Sequence, residues 1–147
     1  MMTPEPKRER RDPQADEPRL VAVVDDDASV RQSTRRLIQS FGHRAEVFGS
    51  GEEFFRSGLA TQTACLVLDV RMPVMGGLEI QRRLAESGTS VPIVFITGRA
   101  SEQEEQRARD AGAVAFLRKP VDQENLRQAI ENAFRAEARA GGNRDVE

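Results

Sequence analysis

Residues 64–73 read ACLVLDVRMP, an unbroken apolar run that stops at Asp69 and continues into a proline-containing segment. Four runs of this kind, rich in Val, Ile, Leu, Phe and Ala, are typical of strands that are buried on both faces of a parallel sheet. A fifth run, Ala45 to Phe48, contains Glu46 and suits an edge strand. The four runs are Leu20 to Val24, Ala64 to Leu68, Val91 to Ile96 and Ala113 to Leu117.

Five amphipathic stretches alternate with these runs, and their apolar residues recur at helical spacing. Gly42 is predicted to stop the first helix, and Ser50 to cap the start of the second. Strands that alternate with helices predict a doubly wound α/β domain, with a parallel sheet covered by helices on both faces. The helical markers are Val30, Leu37, Ile38 and Phe41; Phe54 and Phe55; Leu78, Ile80 and Leu84; Ala108 and Ala111; and Leu126, Ile130, Ala133 and Phe134.

Composition excludes several classes of protein. The 147 residues carry 22 Lys and Arg against 24 Asp and Glu, and this near-neutral balance gives no electrostatic case for a nucleic-acid or anionic membrane surface. No apolar run approaches the roughly 20 residues that span a bilayer, and no secretory signal is apparent. The single cysteine, Cys65, excludes a disulfide framework and a cysteine-based zinc cluster. We therefore expect a cytoplasmic protein whose partners are neither nucleic acid nor membrane.

The folded domain is expected to span residues 20–139. Residues 1–19 hold four of the seven prolines and a balanced set of charges, so this segment is predicted to be a disordered arm. Gly141 and Gly142 are predicted to stop the last helix, which leaves residues 140–147 as a flexible tail.

Acidic residues follow two of the predicted strands. Asp25 and Asp26 come directly after the run Leu20 to Val24, and Asp69 follows the run Ala64 to Leu68, the third in chain order. Ligands of doubly wound sheets bind beyond the carboxyl ends of the strands, so the three carboxylates would share one pocket if these two strands are adjacent. Crowded carboxylates need a neutralising charge, and an oxygen-only ligand set favours Mg²⁺ or Mn²⁺ over zinc. Asp27, the next residue, is predicted to cap the following helix instead.

A carboxylate beside a divalent cation can also act as a nucleophile and form an aspartyl phosphate. This chemistry needs a cationic contact and a hydroxyl donor for the phosphoryl oxygens. Lys119 and Thr97, at the ends of the fifth and fourth predicted strands, supply those two groups.

Four short segments stand in order at the strand ends: Val23 to Asp26, Leu68 to Pro73, Ile96 to Gly98 and Phe116 to Pro120. Together they resemble the receiver domain of two-component response regulators, most closely the FixJ-like branch. The resemblance covers about residues 20–139 and implies a flavodoxin-like fold of five helices and a five-stranded sheet in the order 2-1-3-4-5.

This resemblance implies a phosphoryl-accepting switch. Asp69 matches the phosphoacceptor, Asp25 and Asp26 match the acidic pair that holds Mg²⁺, and the backbone carbonyl of Arg71 is a further implied ligand. The implied partner is a histidine kinase or a histidine phosphotransfer protein, and the implied output includes a phosphorylation-dependent homodimer. No enzymatic activity beyond self-phosphorylation and self-dephosphorylation is expected.

The resemblance also assigns a switch. Thr97 matches the hydroxyl that moves toward the phosphoryl group, Phe116 the aromatic that changes rotamer with it, and Lys119 the basic contact, although spacing alone would make Phe116 a core residue. The Lys119–Pro120 peptide is expected to be cis, and Gly77 matches the glycine that closes the loop after the acceptor.

Other functions remain open alternatives at this stage. A haloacid-dehalogenase-like Mg²⁺-dependent phosphatase would need a second Asp two positions after Asp69, where this chain has Arg71. A flavin carrier would need a hydroxyl-rich phosphate loop after the first strand, where three aspartates would repel the phosphate. The chain is either a single-domain regulator or the receiver fragment of a longer FixJ-like DNA-binding transcriptional regulator.

Two departures from the family pattern carry hypotheses. The fourth helical stretch, residues 101–112, offers only Ala108 and Ala111 to the core, so we expect it to be mobile and to carry the phosphorylation response. Arg71 and Arg99 each stand two residues beyond a site residue, and we expect them to tune the lifetime of the aspartyl phosphate.

Overall fold

The structure is a computed structural model that describes the backbone of residues 18–146 and the side chains of residues 18–137. The predicted arm over residues 1–19 therefore lies outside the described residues except for its last two. The side chains of the predicted tail, residues 140–147, also lie outside them.

Five parallel strands form one sheet in the order β2-β1-β3-β4-β5, which confirms the predicted doubly wound fold. The strands are β1 (Leu20–Val24), β2 (Arg44–Phe48), β3 (Cys65–Leu68), β4 (Ile93–Thr97) and β5 (Ala115–Arg118). The described helices are α1 (Ala28–Ser40), α2 (Gly51–Ser57), α3 (Gly77–Glu86), α4 (Glu102–Asp110) and α5 (Gln123–Val146), with a short 3-10 helix at Ala60–Gln62.

Alternate residues of each central strand build two separate cores. In β1, Val21 and Val23 pack in the cluster that includes Ile38 of α1 and Ile130 of α5. Ala22 and Val24 belong to the opposite cluster, together with buried residues of α2, α3 and α4. This period of two explains why the central strands are apolar at every position, since each face of the sheet is covered.

Local signals start and stop the helices as predicted. Asp27 caps α1, its side chain accepting hydrogen bonds from the backbone N–H groups of Ser29 and Val30. Ser50 caps α2 in the same way. Gly42 follows the end of α1 with φ of 96°, a left-handed conformation that glycine adopts without a Cβ clash. Asp27 and Ser50 follow β1 and β2 closely, so the turns at the carboxyl ends of these two strands are short.

Three details of the predicted fold are wrong. The fifth strand is not buried on both faces, because β5 lies at the edge of the sheet and its residues Ala115 and Leu117 are half-buried. Ala111 is exposed, since α4 ends at Asp110 and Ala111 is already its C-cap. Gly141 does not stop α5, which continues to Val146, because a glycine within a helix costs only about 1 kcal/mol.

No helix in residues 18–146 has both the length and the apolar content to cross a membrane.

Candidate functional site

The acidic site lies where β1 and β3 end side by side. The two strands are paired in parallel, Val24 opposite Leu68. The ladder extends one residue further, because the N–H of Asp69 donates to the carbonyl of Val24 at 3.2 Å. Carboxylate oxygens of Asp25, Asp26 and Asp69 consequently lie within 4.8 Å of one another. The predicted convergence of these three side chains is present in the structure.

Lys119 lies across from the buried pair. Asp25 and Asp69 are only 4% and 7% exposed, whereas Asp26 is open to solvent. The Lys119 Nζ donates to Oδ2 of Asp25 at 3.0 Å and to Oδ2 of Asp69 at 3.1 Å. The lysine is itself fixed by its backbone N–H, which donates to the carbonyl of Thr97, and the Lys119–Pro120 peptide is cis, as expected.

The electrostatics of this cluster leave negative charge in excess. Three carboxylates and one ammonium carry a formal charge of -2 when all are ionised. Burial raises the pKa of Asp25, and this effect outweighs the opposing hydrogen bonds from Asp27 and Lys119. Burial alone would lower the pKa of Lys119, but the hydrogen bonds and charges of Asp25 and Asp69 outweigh it and raise that pKa. Lys119 therefore stays protonated at neutral pH. A divalent cation would balance the remaining charge of -2.

Loop amides orient the acids before any ligand arrives. Oδ1 of Asp69 accepts the N–H of Arg71 at 3.1 Å, and Oδ1 of Asp25 accepts the N–H of Asp27 at 2.9 Å. Each buried acid thus has one oxygen bound to a loop amide and the other to Lys119. A donor set made of three carboxylates fits a hard cation such as Mg²⁺.

The loop from Val70 to Gly76 returns tightly against the end of β3. A Cβ on Gly77 would lie 2.4 Å from the carbonyl oxygen of Asp69 and 2.9 Å from the Phe95 ring, so only glycine fits there. Val74, at the tip of this loop, has φ of 69° and is fully exposed. A β-branched residue in this conformation is strained, which marks the loop as sterically constrained.

Thr97 and Phe116 are both buried. Among the hydrogen bonds of residues 18–137, none joins the Thr97 side chain to Asp69. The Thr97 hydroxyl donates to the carbonyl of Arg99 at 2.8 Å and accepts the Arg99 N–H at 3.2 Å. The Phe116 ring packs on Phe95, with ring centroids 5.8 Å apart, and the Arg118 guanidinium lies over it. The assignment of Thr97 and Phe116 as switch residues stays a prediction.

Two arginines near the site have partners that the sequence did not reveal. The Arg71 side chain binds Glu104 of α4, Nη2 to Oε1, at 2.8 Å. Arg31 of α1 donates to the backbone carbonyl of Asp25 at 2.8 Å. Glu104 stands three residues after Ser101, a spacing that signals a helix cap, so its second role had no separate signal.

A protein-family model described as the response regulator receiver domain matches residues 21–131. The chain belongs to the response regulator receiver family. Its relatives include a FixJ protein, in agreement with the predicted FixJ-like branch of two-component systems.

Two curated relatives illustrate the extent of this similarity. The response regulator protein TmoT of Ectopseudomonas mendocina is 39% identical over 120 residues, which are 82% of this chain and 54% of TmoT. The transcriptional regulatory protein FixJ of Bradyrhizobium diazoefficiens is 34% identical over 115 residues, which are 78% of this chain and 56% of FixJ. The chain thus spans about half the length of these relatives.

Solved structures show the same similarity. The response regulator StyR superimposes with a TM-score of 0.81 at 40% identity, over 88% of this chain and 65% of StyR. The fold and the family of this receiver domain are therefore settled independently of the site geometry.

Proposed function

We propose that this receiver domain accepts a phosphoryl group on Asp69 from a histidine kinase or a histidine phosphotransfer protein. One observation carries the proposal: the buried Asp69 carboxylate shares a Lys119 contact with Asp25, and the solvent-exposed Asp26 brings a third carboxylate to the same strand ends. The proposal rests on this geometry and on membership of the receiver family.

In the transfer step, a carboxylate oxygen of Asp69 attacks the phosphorus of the phosphohistidine. The new O–P bond makes Asp69 an acyl phosphate, and the P–N bond breaks with its electron pair returning to the imidazole of the partner. Lys119 would contact the phosphoryl oxygens; this role is supported by its Nζ, which binds the oxygen of Asp69 that the Arg71 amide does not. Hydrolysis by water later returns the carboxylate and inorganic phosphate.

The residues that would hold Mg²⁺ are Asp25, Asp26, Asp69 and the backbone carbonyl of Arg71. When bound, the ion supplies charge neutralisation for the phosphoryl oxygens. The chain's own contribution is to orient the two buried carboxylates by loop amides and to keep Lys119 charged. No enzymatic turnover of another substrate is proposed.

We further propose that the signal leaves through β5 and its flanking helices α4 and α5. Phe116 and Arg118 on β5 contact each other, and Arg118 also binds Glu105 of α4 at 3.0 Å. A phosphorylation-dependent homodimer is one output of such a change, and size-exclusion chromatography with and without phosphorylation tests it. The domain is expected to act alone or as the receiver part of a longer FixJ-like regulator.

Phosphorylation itself is tested with acetyl phosphate and Mg²⁺, followed by intact mass spectrometry. We expect a gain of about 80 Da, one phosphoryl group, which disappears in Asp69→Asn. Asp27→Asn is the matched control, because it makes the same chemical change two residues from Asp25 and keeps a good helix cap. An unlabelled wild type, or equal labelling of Asp69→Asn, would contradict the proposal.

A further inference from the structure

Arg71 lies between two acids that belong to different parts of the molecule. Its backbone N–H donates to Oδ1 of Asp69 at 3.1 Å, and its guanidinium binds Oε1 of Glu104 at 2.8 Å. The guanidinium is half-exposed, so its position is set by this ion pair and not by packing. The guanidinium of a residue that already contacts Asp69 through its backbone is thus paired with a residue of α4.

Glu104 combines this ion pair with a role in starting α4. Its Oε1 also accepts the N–H of Ser101 at 2.9 Å, and its own N–H donates to Oγ of Ser101 at 3.0 Å, which completes a capping box. These contacts hold the pKa of Glu104 below its ordinary value, the largest effect coming from the Ser101 amide and a smaller one from Arg71. The first turn of α4 is consequently coupled to Arg71 through one carboxylate oxygen.

Little else attaches that turn to the sheet. Ala108 is the one buried residue of α4, and the carbonyl of Ala108 accepts a hydrogen bond from Gln81 of α3. Nearer the start of the helix, Arg118 binds Glu105 at 3.0 Å and the carbonyl of Ala100 at 3.0 Å. The first turn is therefore attached to the loop after β3 and to β5 by the ion pairs of Glu104 and Glu105.

We propose that Glu104 is a positioning residue that competes with the phosphoryl group on Asp69 for the Arg71 guanidinium. This inference rests on the proposed function. A phosphoryl group brings up to two negative charges and three acceptor oxygens, and arginine binds such a group in a bidentate manner. Once Arg71 turns to it, the start of α4 loses one of its two ion-pair attachments, so occupancy of Asp69 loosens this helix.

The test is the affinity of the Mg²⁺-loaded protein for beryllofluoride, a phosphoryl mimic, measured from bound fluoride by ¹⁹F NMR. Glu104→Gln removes the charge of the competitor, while glutamine at this position preserves the capping box. We expect it to tighten beryllofluoride binding about two- to fivefold, the range of an exposed ion pair. Glu102→Gln is the matched control, because it removes the same charge from the same turn and Glu102 has no ion-pair partner within residues 18–137.

The double variant distinguishes competition from a structural effect. Arg71→Ala is expected to weaken binding, and Glu104→Gln should then add nothing in the Arg71→Ala background. An effect of Glu104→Gln that equals that of Glu102→Gln, or that persists without Arg71, would overturn the inference.

Amide exchange in the wild type provides a second readout. Beryllofluoride should accelerate exchange in residues 102–105, and unchanged exchange there in the saturated protein would also overturn the inference. The proposed function fails separately: in that case the wild type neither gains mass from acetyl phosphate nor binds beryllofluoride, and the inference falls with it.

Discussion

Replacing Lys119 by methionine should destabilise the fold, because the two buried carboxylates lose their cationic partner. The lysine forms ion pairs with two buried carboxylates at 3.0 Å and 3.1 Å, and its own side chain is 26% exposed. Breaking a fully buried pair costs about 3–5 kcal/mol, and an exposed pair contributes about 1 kcal/mol or less. For this partly buried cluster we expect a loss of about 2–3 kcal/mol in the free energy of unfolding, measured without metal.

The assay is urea unfolding in EDTA, followed by far-UV circular dichroism because the chain has no Trp or Tyr. A loss of this size lowers the urea midpoint by about 1–2 M for a domain of ordinary m-value. Saturating Mg²⁺ should restore much of the loss, since it neutralises the same carboxylates. Asp25→Asn in the Lys119→Met background should restore part of it without metal.

Arg82→Met is the matched control. Arg82 also bridges two acids, Glu79 and Glu86, but all three side chains are exposed on α3. We expect its midpoint to stay near that of the wild type. An unchanged midpoint in Lys119→Met, or an equal drop in Arg82→Met, would refute the view that the pocket depends on Lys119 for charge compensation.

Four further predictions concern the same edge of the sheet and its core. Gly77→Ala should cost about 1–3 kcal/mol or more, because its Cβ would meet a backbone oxygen at 2.4 Å, whereas Gly98→Ala, with its nearest contact at 3.8 Å, should be nearly neutral in urea unfolding. The fold raises the pKa of Asp25, so the folded chain binds a proton on this carboxyl more tightly than the unfolded chain does. Ionised Asp25 therefore lowers the free energy of unfolding at neutral pH. This destabilisation disappears as the pH falls through the raised pKa. Asp25→Asn in EDTA should therefore raise the urea midpoint at about pH 7 and lose that advantage toward about pH 4. Amides of residues 102–110 should exchange faster than those of the central strands, and equal protection would contradict the expected mobility of α4. Burial raises the pKa of the Cys65 thiol, so iodoacetamide should label it in urea and leave the native protein unmodified.

The sequence predicted those parts of the fold that depend on local pattern. The run before Asp69 became β3, and the acids that follow β1 and β3 meet because adjacent parallel strands end at one edge. The adjacency itself came from the family resemblance, since apolar runs do not specify their neighbours. The half-burial of β5 follows from its place at the edge, which a local pattern does not reveal.

Contacts between side chains that are far apart in the chain could not be predicted from the sequence. Arg71 and Glu104 are 33 residues apart, and their ion pair depends on how the loop after β3 and the start of α4 are folded. Glu104 stands at the third helical position of a capping box, and that spacing carries no signal for a pair with Arg71. The extension of α5 past Gly141 was missed because a glycine costs a helix only about 1 kcal/mol, which does not by itself end it.

The charged attachment of α4 has a consequence for how this protein responds to its medium. Apolar cores such as those beneath α1 and α5 are insensitive to dissolved ions at ordinary concentrations, whereas exposed ion pairs are screened over about 10 Å at 0.1 M salt. The pairs of Glu104 with Arg71 and of Glu105 with Arg118 are partly exposed, so added salt should weaken the attachment of α4 to its neighbours. Higher ionic strength is therefore expected to loosen the start of α4 even when Asp69 carries no phosphoryl group.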